Sequence, residues 1–221
     1  MDILQRHEAF EMEVLERLNG RRLLDALIFG GGTMLRLCHA MSRYSVDLDF
    51  WFLRKVDERG YFERVRGSLG ETYTLTDAHM KRNTLLFELR SGRYPRRLKI
   101  EIRRGVMVCA DERGIAFSTH ATAQVALRTH TLGQMMKNKV SAALERREIR
   151  DFHDIEFLLR RGIPLAVPQD RRKELLKTLS AFKPRDFKVA LGSLLDPEQR
   201  RYYAQSGFRF LEETLARPGQ D

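Results

Sequence analysis

Two cysteines, Cys38 and Cys109, are all this chain has, and they lie far apart in the sequence. That excludes a disulfide framework, and nothing near either one has metal-ligand spacing. The six histidines are scattered. Long apolar runs are missing too, since no stretch approaches the ~20 residues needed to span a bilayer. The opening segment "MDILQRHEAFEMEVLERL" is charged throughout and holds no secretory apolar core. Internal repeats, low-complexity tracts and long linkers are also lacking. These absences predict a reduced, cytoplasmic protein without a membrane partner.

What is present in excess is positive charge. Lys and Arg number 40 against 30 Asp and Glu, a formal balance of +10. Such a balance suits nucleic acid, nucleotide phosphates or an acidic protein, and it equally suits a plain, soluble basic surface. With 221 residues, 43% of them hydrophobic, the chain can bury one sizeable core, or a core plus a small module.

Apolar positions at helical spacing (Ile3, Leu4, Phe10, Val14, Leu15, Leu18) predict a helix over 3–18 that Gly20 stops. The apolar run "LLDALIF" ends in Gly30-Gly31-Gly32, and Thr33 opens a short helical pattern. A strand is predicted over 46–53, an amphipathic helix near 56–68, and strands over 72–78, 84–90 and 96–104. From about residue 120 the character changes, and helices are predicted from "LGQMMKNKVSAALERR" onward. "PRDFKVALGSLL" and "DPEQRRYYAQSGFRFLEETL" each read as one helix. The plan is α+β, a mixed front half followed by a helical region.

Within "RYSVDLDFWF" two acids, Asp47 and Asp49, alternate with Val46, Leu48 and Phe50. Residues i and i+2 of a strand share a face about 6.5–7 Å apart, so the carboxylates project together. Unpaired, they would repel; a divalent cation removes the conflict. A solvated strand face or a pairing with arginine would also accommodate them. In "LKIEIRR", Lys99, Glu101 and Arg103 alternate with Leu98, Ile100 and Ile102, so Glu101 becomes a third carboxylate if the two strands are neighbours. Otherwise that segment is an exposed edge strand. "GGGT" offers close backbone approach and helix-start amides to an anion, or simply a turn; it lacks the Lys-Ser/Thr of a P-loop. "KNKVSAALERREIRDFHD" places Lys139, Arg146, Arg150, Asp151 and Asp154 within a few helical turns, with small residues at Ala142 and Ala143.

Taken in order, "GGTMLRL", "RYSVDLDF" and "KVSAALERREIRDFHDI" resemble the motifs of the AbiEii/AbiGii toxin family of nucleotidyltransferases, which includes the MenT toxins. They match its glycine motif, its R-x-S-x-D-L-D-F motif and its K-x-x-A…R…R-D-x-x-D helix, and lie between about residues 30 and 158. The resemblance implies a DNA polymerase β-like nucleotidyltransferase core over 1–118 and a helical region over 119–221 that completes the active-site cleft. It implies Asp47 and Asp49 as metal ligands, with Glu101 as third acid where the family often has Asp. Gly31, Gly32, Thr33, Arg43 and Ser45 would line the nucleotide phosphates, with Lys139 and Arg146 at the triphosphate. Asp154 would contribute to activity, and Asp151 would orient its helix through an arginine. Mg²⁺ or Mn²⁺ is the implied cofactor and an NTP the substrate.

The expected reaction is transfer of a nucleoside monophosphate from an NTP to an acceptor hydroxyl, with release of pyrophosphate. By resemblance the leading acceptor is the 3′ end of tRNA. The chain would then be a growth-arresting toxin in a toxin–antitoxin or abortive-infection locus, countered by an antitoxin protein, a winged-helix regulator. The basic run "RSGRYPRRLKIEIRR" and Tyr94, Tyr202, Tyr203 and Phe208 suit an RNA backbone with base stacking. The alternatives are nucleotidylation of a small molecule or protein, and a catalytically silent RNA-binding module. Clustered acids argue against the last, because a phosphate-binding module has no use for them.

Overall fold

Alternation of buried and half-buried positions organises the front of the chain. The computed structural model describes residues 1–217. Its first elements are α1 (Ile3–Gly20), β1 (Leu27–Gly30), α2 (Gly31–His39), β2 (Asp47–Phe52) and α3 (Glu58–Gly70). Then come β3 (Thr74–Met80), β4 (Thr84–Arg90), β5 (Leu98–Val106), β6 (Asp111–Phe117) and β7 (Gln124–His130). The strands form one mixed sheet in the order β3-β4-β5-β2-β1-β7-β6. β2 runs parallel to β5 and antiparallel to β1, and β1 runs parallel to β7.

One face of this sheet is apolar. Leu48, Phe50 and Phe52 of β2 are buried, as are Phe29 of β1 and Ile100 and Ile102 of β5. Helix α3 seals part of that face, with Phe52 edge-on to Tyr61 and Phe62 stacked on Phe87 at 4.9 Å. The opposite face carries the intervening residues Asp47, Asp49 and Trp51, all half-buried. A capping box starts α1: Asp2 accepts from the Gln5 N–H at 2.8 Å, and Gln5 accepts from the Asp2 N–H at 2.9 Å.

Two strands, β6 and β7, occupy a stretch in which the sequence predicts no element. Between β6 and β7 the partners Arg113↔Arg128 and Gly114↔Leu127 are in antiparallel register. The chain divides into compact units Met1–Thr131 and Leu132–Asp221, so β7 closes the first unit. Both strands belong to the sheet of that unit.

The second unit is helical: α4 (Leu132–Arg146), α5 (Ile149–Arg160), α6 (Gln169–Leu179), α7 (Pro197–Ser206) and α8 (Arg209–Ala216). The expected helix at "PRDFKVALGSLL" is instead a π-helical turn, Asp186–Leu191, followed by a 3-10 turn, Gly192–Leu194. The expected last helix is two, broken at Gly207, whose φ of 55° favours glycine. Glu156, wholly buried, ties three helices together: it accepts from Tyr203 Oη at 3.1 Å, Arg160 Nη2 at 3.1 Å and the Leu211 N–H at 3.3 Å. Among the described residues no helix is long and apolar enough to cross a membrane.

Beneath the sheet, α1 buries a polar patch of its own. Glu11 is 1% exposed, and neither of its carboxylate oxygens has a hydrogen-bond partner. His7 Nε2 lies 3.6 Å from its Oε1. Burial pushes the Glu11 carboxyl well above the usual range, and the charges of Glu8 and Asp47 add to it against Arg36 and Arg96. An acid held high in the folded state binds its proton there before the unfolded chain does. The stability it contributes is therefore complete below the unfolded value of about 4.3 and is lost as pH rises. Glu11→Met is expected to be more stable than wild type by about 1–3 kcal/mol at pH 8. The gap should narrow toward pH 4.5, and urea denaturation at the two pH values measures it; equal gaps would refute the assignment.

Candidate functional site

The acids meet because the parallel pairing of β2 with β5 sets them in register. Asp47 is the Cα partner of Lys99, and Asp49 is the partner of Glu101. Partners across adjacent strands share a face, so Asp47, Asp49, Lys99 and Glu101 stand together on the half-buried side. The Lys99 ammonium bridges them, 3.4 Å from Asp47 Oδ2 and 3.3 Å from Glu101 Oε1. Burial alone would lower the Lys99 pKa; Asp47 and Glu101 outweigh it, and the net shift is upward. A cation is already favoured between these two acids.

The glycine turn is built around the same acids. Gly31, at φ 72°, lies so close to Asp49 that a Cβ there would meet Oδ2 at 2.2 Å. At Gly32 a Cβ would strike Arg43 Nη2 at 2.5 Å and Ser45 Oγ at 2.8 Å. Only glycine lets the start of α2 approach β2 this closely. Thr33 is fully buried, and its hydroxyl donates to the Asp47 carbonyl at 2.6 Å, so it ties α2 to the strand. His7 Nε2 contacts the Val46 carbonyl at 3.0 Å from the other side. Arg43 is 2% exposed, and its Nη1 donates to the Tyr44 carbonyl at 2.9 Å.

Of the residues singled out from the sequence, Gly31, Gly32, Thr33, Arg43, Ser45, Asp47, Asp49 and Glu101 thus gather in the first unit. Lys139, Arg146 and Asp154 gather in the second. There Lys139 Nζ donates to Asp154 Oδ2 at 2.6 Å and to Asp151 Oδ1 at 3.1 Å. Arg146 Nη2 lies 3.1 Å from both oxygens of Asp151. Asp151 and Asp154 are both wholly buried. Lys99, His7 and Glu11 were not singled out as site residues. The alternating charge of "LKIEIRR" is the trace of Lys99 in the sequence. His7 and Glu11 sit one turn apart on an otherwise apolar helix face, the signal that could have found them.

Oxygen-only donors on neighbouring strands suit a hard divalent cation. Among the described residues no three His, Cys, Asp or Glu side chains close around a metal-sized space. Asp47, Asp49 and Glu101 could supply one or two carboxylates to a divalent cation that takes its remaining ligands from substrate phosphates and water.

The sequence pattern described as "Nucleotidyl transferase AbiEii toxin, Type IV TA system" matches residues 13–218. Among solved structures, the chain is similar to JHP933 from Helicobacter pylori, at 20% identity and a TM-score of 0.54, over 94% of this chain and 93% of that one. A second Helicobacter pylori protein, assigned as a nucleotidyltransferase, aligns at 20% identity with a TM-score of 0.56 over 94% and 96% of the two chains. MenT4, the nucleotidyltransferase toxin Rv2826c of Mycobacterium tuberculosis H37Rv, aligns at 18% identity with a TM-score of 0.48 over 95% and 94%. No curated protein sequence matches. The two Helicobacter pylori structures share the fold of this chain.

Proposed function

The chain belongs to the AbiEii family of nucleotidyltransferase toxins of type IV toxin–antitoxin systems, and from that premise we propose that its acid row transfers a nucleoside monophosphate from an NTP to the 3′ hydroxyl of tRNA. The observation that carries the reading is the register Asp49↔Glu101, which brings the acids of two strands onto one sheet face beside the glycine turn. Mg²⁺ bound there would neutralise phosphoryl oxygens and align the attacking and leaving oxygens.

The residues divide the remaining work. Asp47 and Asp49 hold the cation, and Glu101 accepts the proton of the acceptor hydroxyl through a carboxylate oxygen. Gly31 and Gly32 let the phosphates approach the first amides of α2. Lys99 limits the mutual repulsion of Asp47 and Glu101 while no metal cation is bound. Placement and charge neutralisation supply most of the rate for such a displacement. By the same reading the protein works in the cytoplasm, where its substrates are. It arrests growth in an abortive-infection setting, and a winged-helix antitoxin counters it.

Incubation with each of four α-³²P-NTPs and total RNA, with and without Mg²⁺, tests the proposal. The expected result is label in tRNA only when Mg²⁺ is present. Label on protein or on a small molecule would overturn the acceptor assignment, and no label with any NTP would overturn the reaction.

A further inference from the structure

One row along β2 from Asp49 and Glu101 stands a pair that the acid chemistry does not use. Trp51 is the next residue on the acid face, and its Cα partner on β5 is Arg103. Successive same-face positions lie about 6.5–7 Å apart, so the pair is one nucleoside's length from the acids. Trp51 is half-buried and Arg103 exposed. Among the described residues Arg103 has no ion-pair partner.

The Trp51 ring is braced on one side. Its edge meets His130, with centroids 4.7 Å apart at 66°, and it lies close enough to Gly30 that a Cβ there would meet Cζ3 at 2.6 Å. Burial holds the His130 imidazole down to about 4 against the pull of Asp111, so the brace is uncharged at neutral pH. Both contacts come from β1 and β7, and on the β5 side the residue paired with Trp51 is Arg103. A tryptophan and an arginine at paired positions of one sheet face can together take a nucleobase, by stacking and by cation–π attraction.

We propose that Trp51 and Arg103 form the nucleobase site of this enzyme, holding the base of the nucleotide whose phosphates or hydroxyl lie at the acid row. That base belongs either to the incoming NTP or to the terminal nucleotide of the acceptor RNA. The proposal rests on the nucleotidyl-transfer reading for the identity of its ligand.

Trp51 is the chain's one tryptophan, so its emission reports the site directly. The full chain with Mg²⁺ is titrated with an α,β-methylene NTP, with a single-stranded RNA oligonucleotide, and with inorganic tripolyphosphate as the base-free control. Calorimetry follows the same three titrations. Quenching by the NTP analogue alone assigns the incoming base, quenching by RNA alone assigns the acceptor base, and tripolyphosphate should bind without quenching. Arg103→Ala and Trp51→Leu should each weaken the quenching ligand by roughly 5- to 150-fold and leave tripolyphosphate affinity unchanged, with Trp51→Phe restoring most of the loss. If Trp51→Leu does not fold, the wild-type quenching and the exposed Arg103→Ala variant decide. Binding of base-bearing ligands by calorimetry with no change in Trp51 emission would overturn the base site while the transfer reading stands. Quenching without any transfer of label would keep the base site and remove the reaction. Binding of neither NTP nor RNA would remove both.

Discussion

Asp49→Asn is expected to lower nucleotidyl transfer on the order of 10³-fold while the melting temperature stays within about 2–4 °C of wild type. Asparagine keeps the shape and one carbonyl oxygen but removes the charge, so the fit against Gly31 survives and the electrostatic role does not. Asp49 should be the most sensitive of the three acids. Its Cα partners are Gly30 on one side and Glu101 on the other, which places it at the centre of the row. Asp47 and Glu101 share the Lys99 ammonium, so loss of either leaves the survivor with a neutralising partner. Incorporation from α-³²P-NTP and thermal unfolding of the same preparation measure the two quantities. Activity within tenfold of wild type would remove Asp49 from the reaction, and a large fall in melting temperature would make its role structural.

The strand phase behind that prediction was legible in the sequence; the register was not. Alternation in "VDLDF" already puts Asp47 and Asp49 on one face, because side-chain direction in a strand is a local property. That Glu101 falls beside Asp49, and Lys99 beside Asp47, depends on how two distant segments slide past one another. A slip of one residue would have put Ile100 among the acids. Thr33 shows the same limit: a hydroxyl after a glycine turn suits a phosphate, yet its bond runs to the Asp47 carbonyl. β6 was hidden by its composition, since "DERGIAF" begins with charges and carries Gly114, as an edge strand can. β7 has clean period-two burial at Val125, Leu127 and Thr129, but it is short and runs directly into α4. In the second unit, helical spacing brought Lys139 and Arg146 together on paper. It could not show that Asp151 and Asp154, on another helix, are both within reach of one ammonium.

That ammonium should matter first to the fold. Lys139→Ala is expected to destabilise the second unit by about 3–5 kcal/mol. The Lys139 side chain is 9% exposed and lies 2.6 Å from Asp154 and 3.1 Å from Asp151, both 0% exposed. Removing one partner of a buried ion pair leaves a charge with neither water nor counter-ion, and that penalty exceeds what the intact pair gains. Arg146 shares Asp151 and softens the loss there, though its own side chain is 48% exposed. Asp154 also faces His153, whose Nδ1 is 3.6 Å away. The double variant Lys139→Ala/Asp154→Ala should therefore recover about 0.5–3 kcal/mol relative to Lys139→Ala alone, the signature of coupled neighbours. Urea denaturation followed by far-ultraviolet circular dichroism measures both, and added salt should change neither much because the pair is buried. Transfer activity at 25 °C, compared with the folded fraction, separates this structural role from the lysine's expected place at the triphosphate. A Lys139→Ala protein as stable as wild type but inactive would show instead that this lysine serves the triphosphate, with the two aspartates holding it ready.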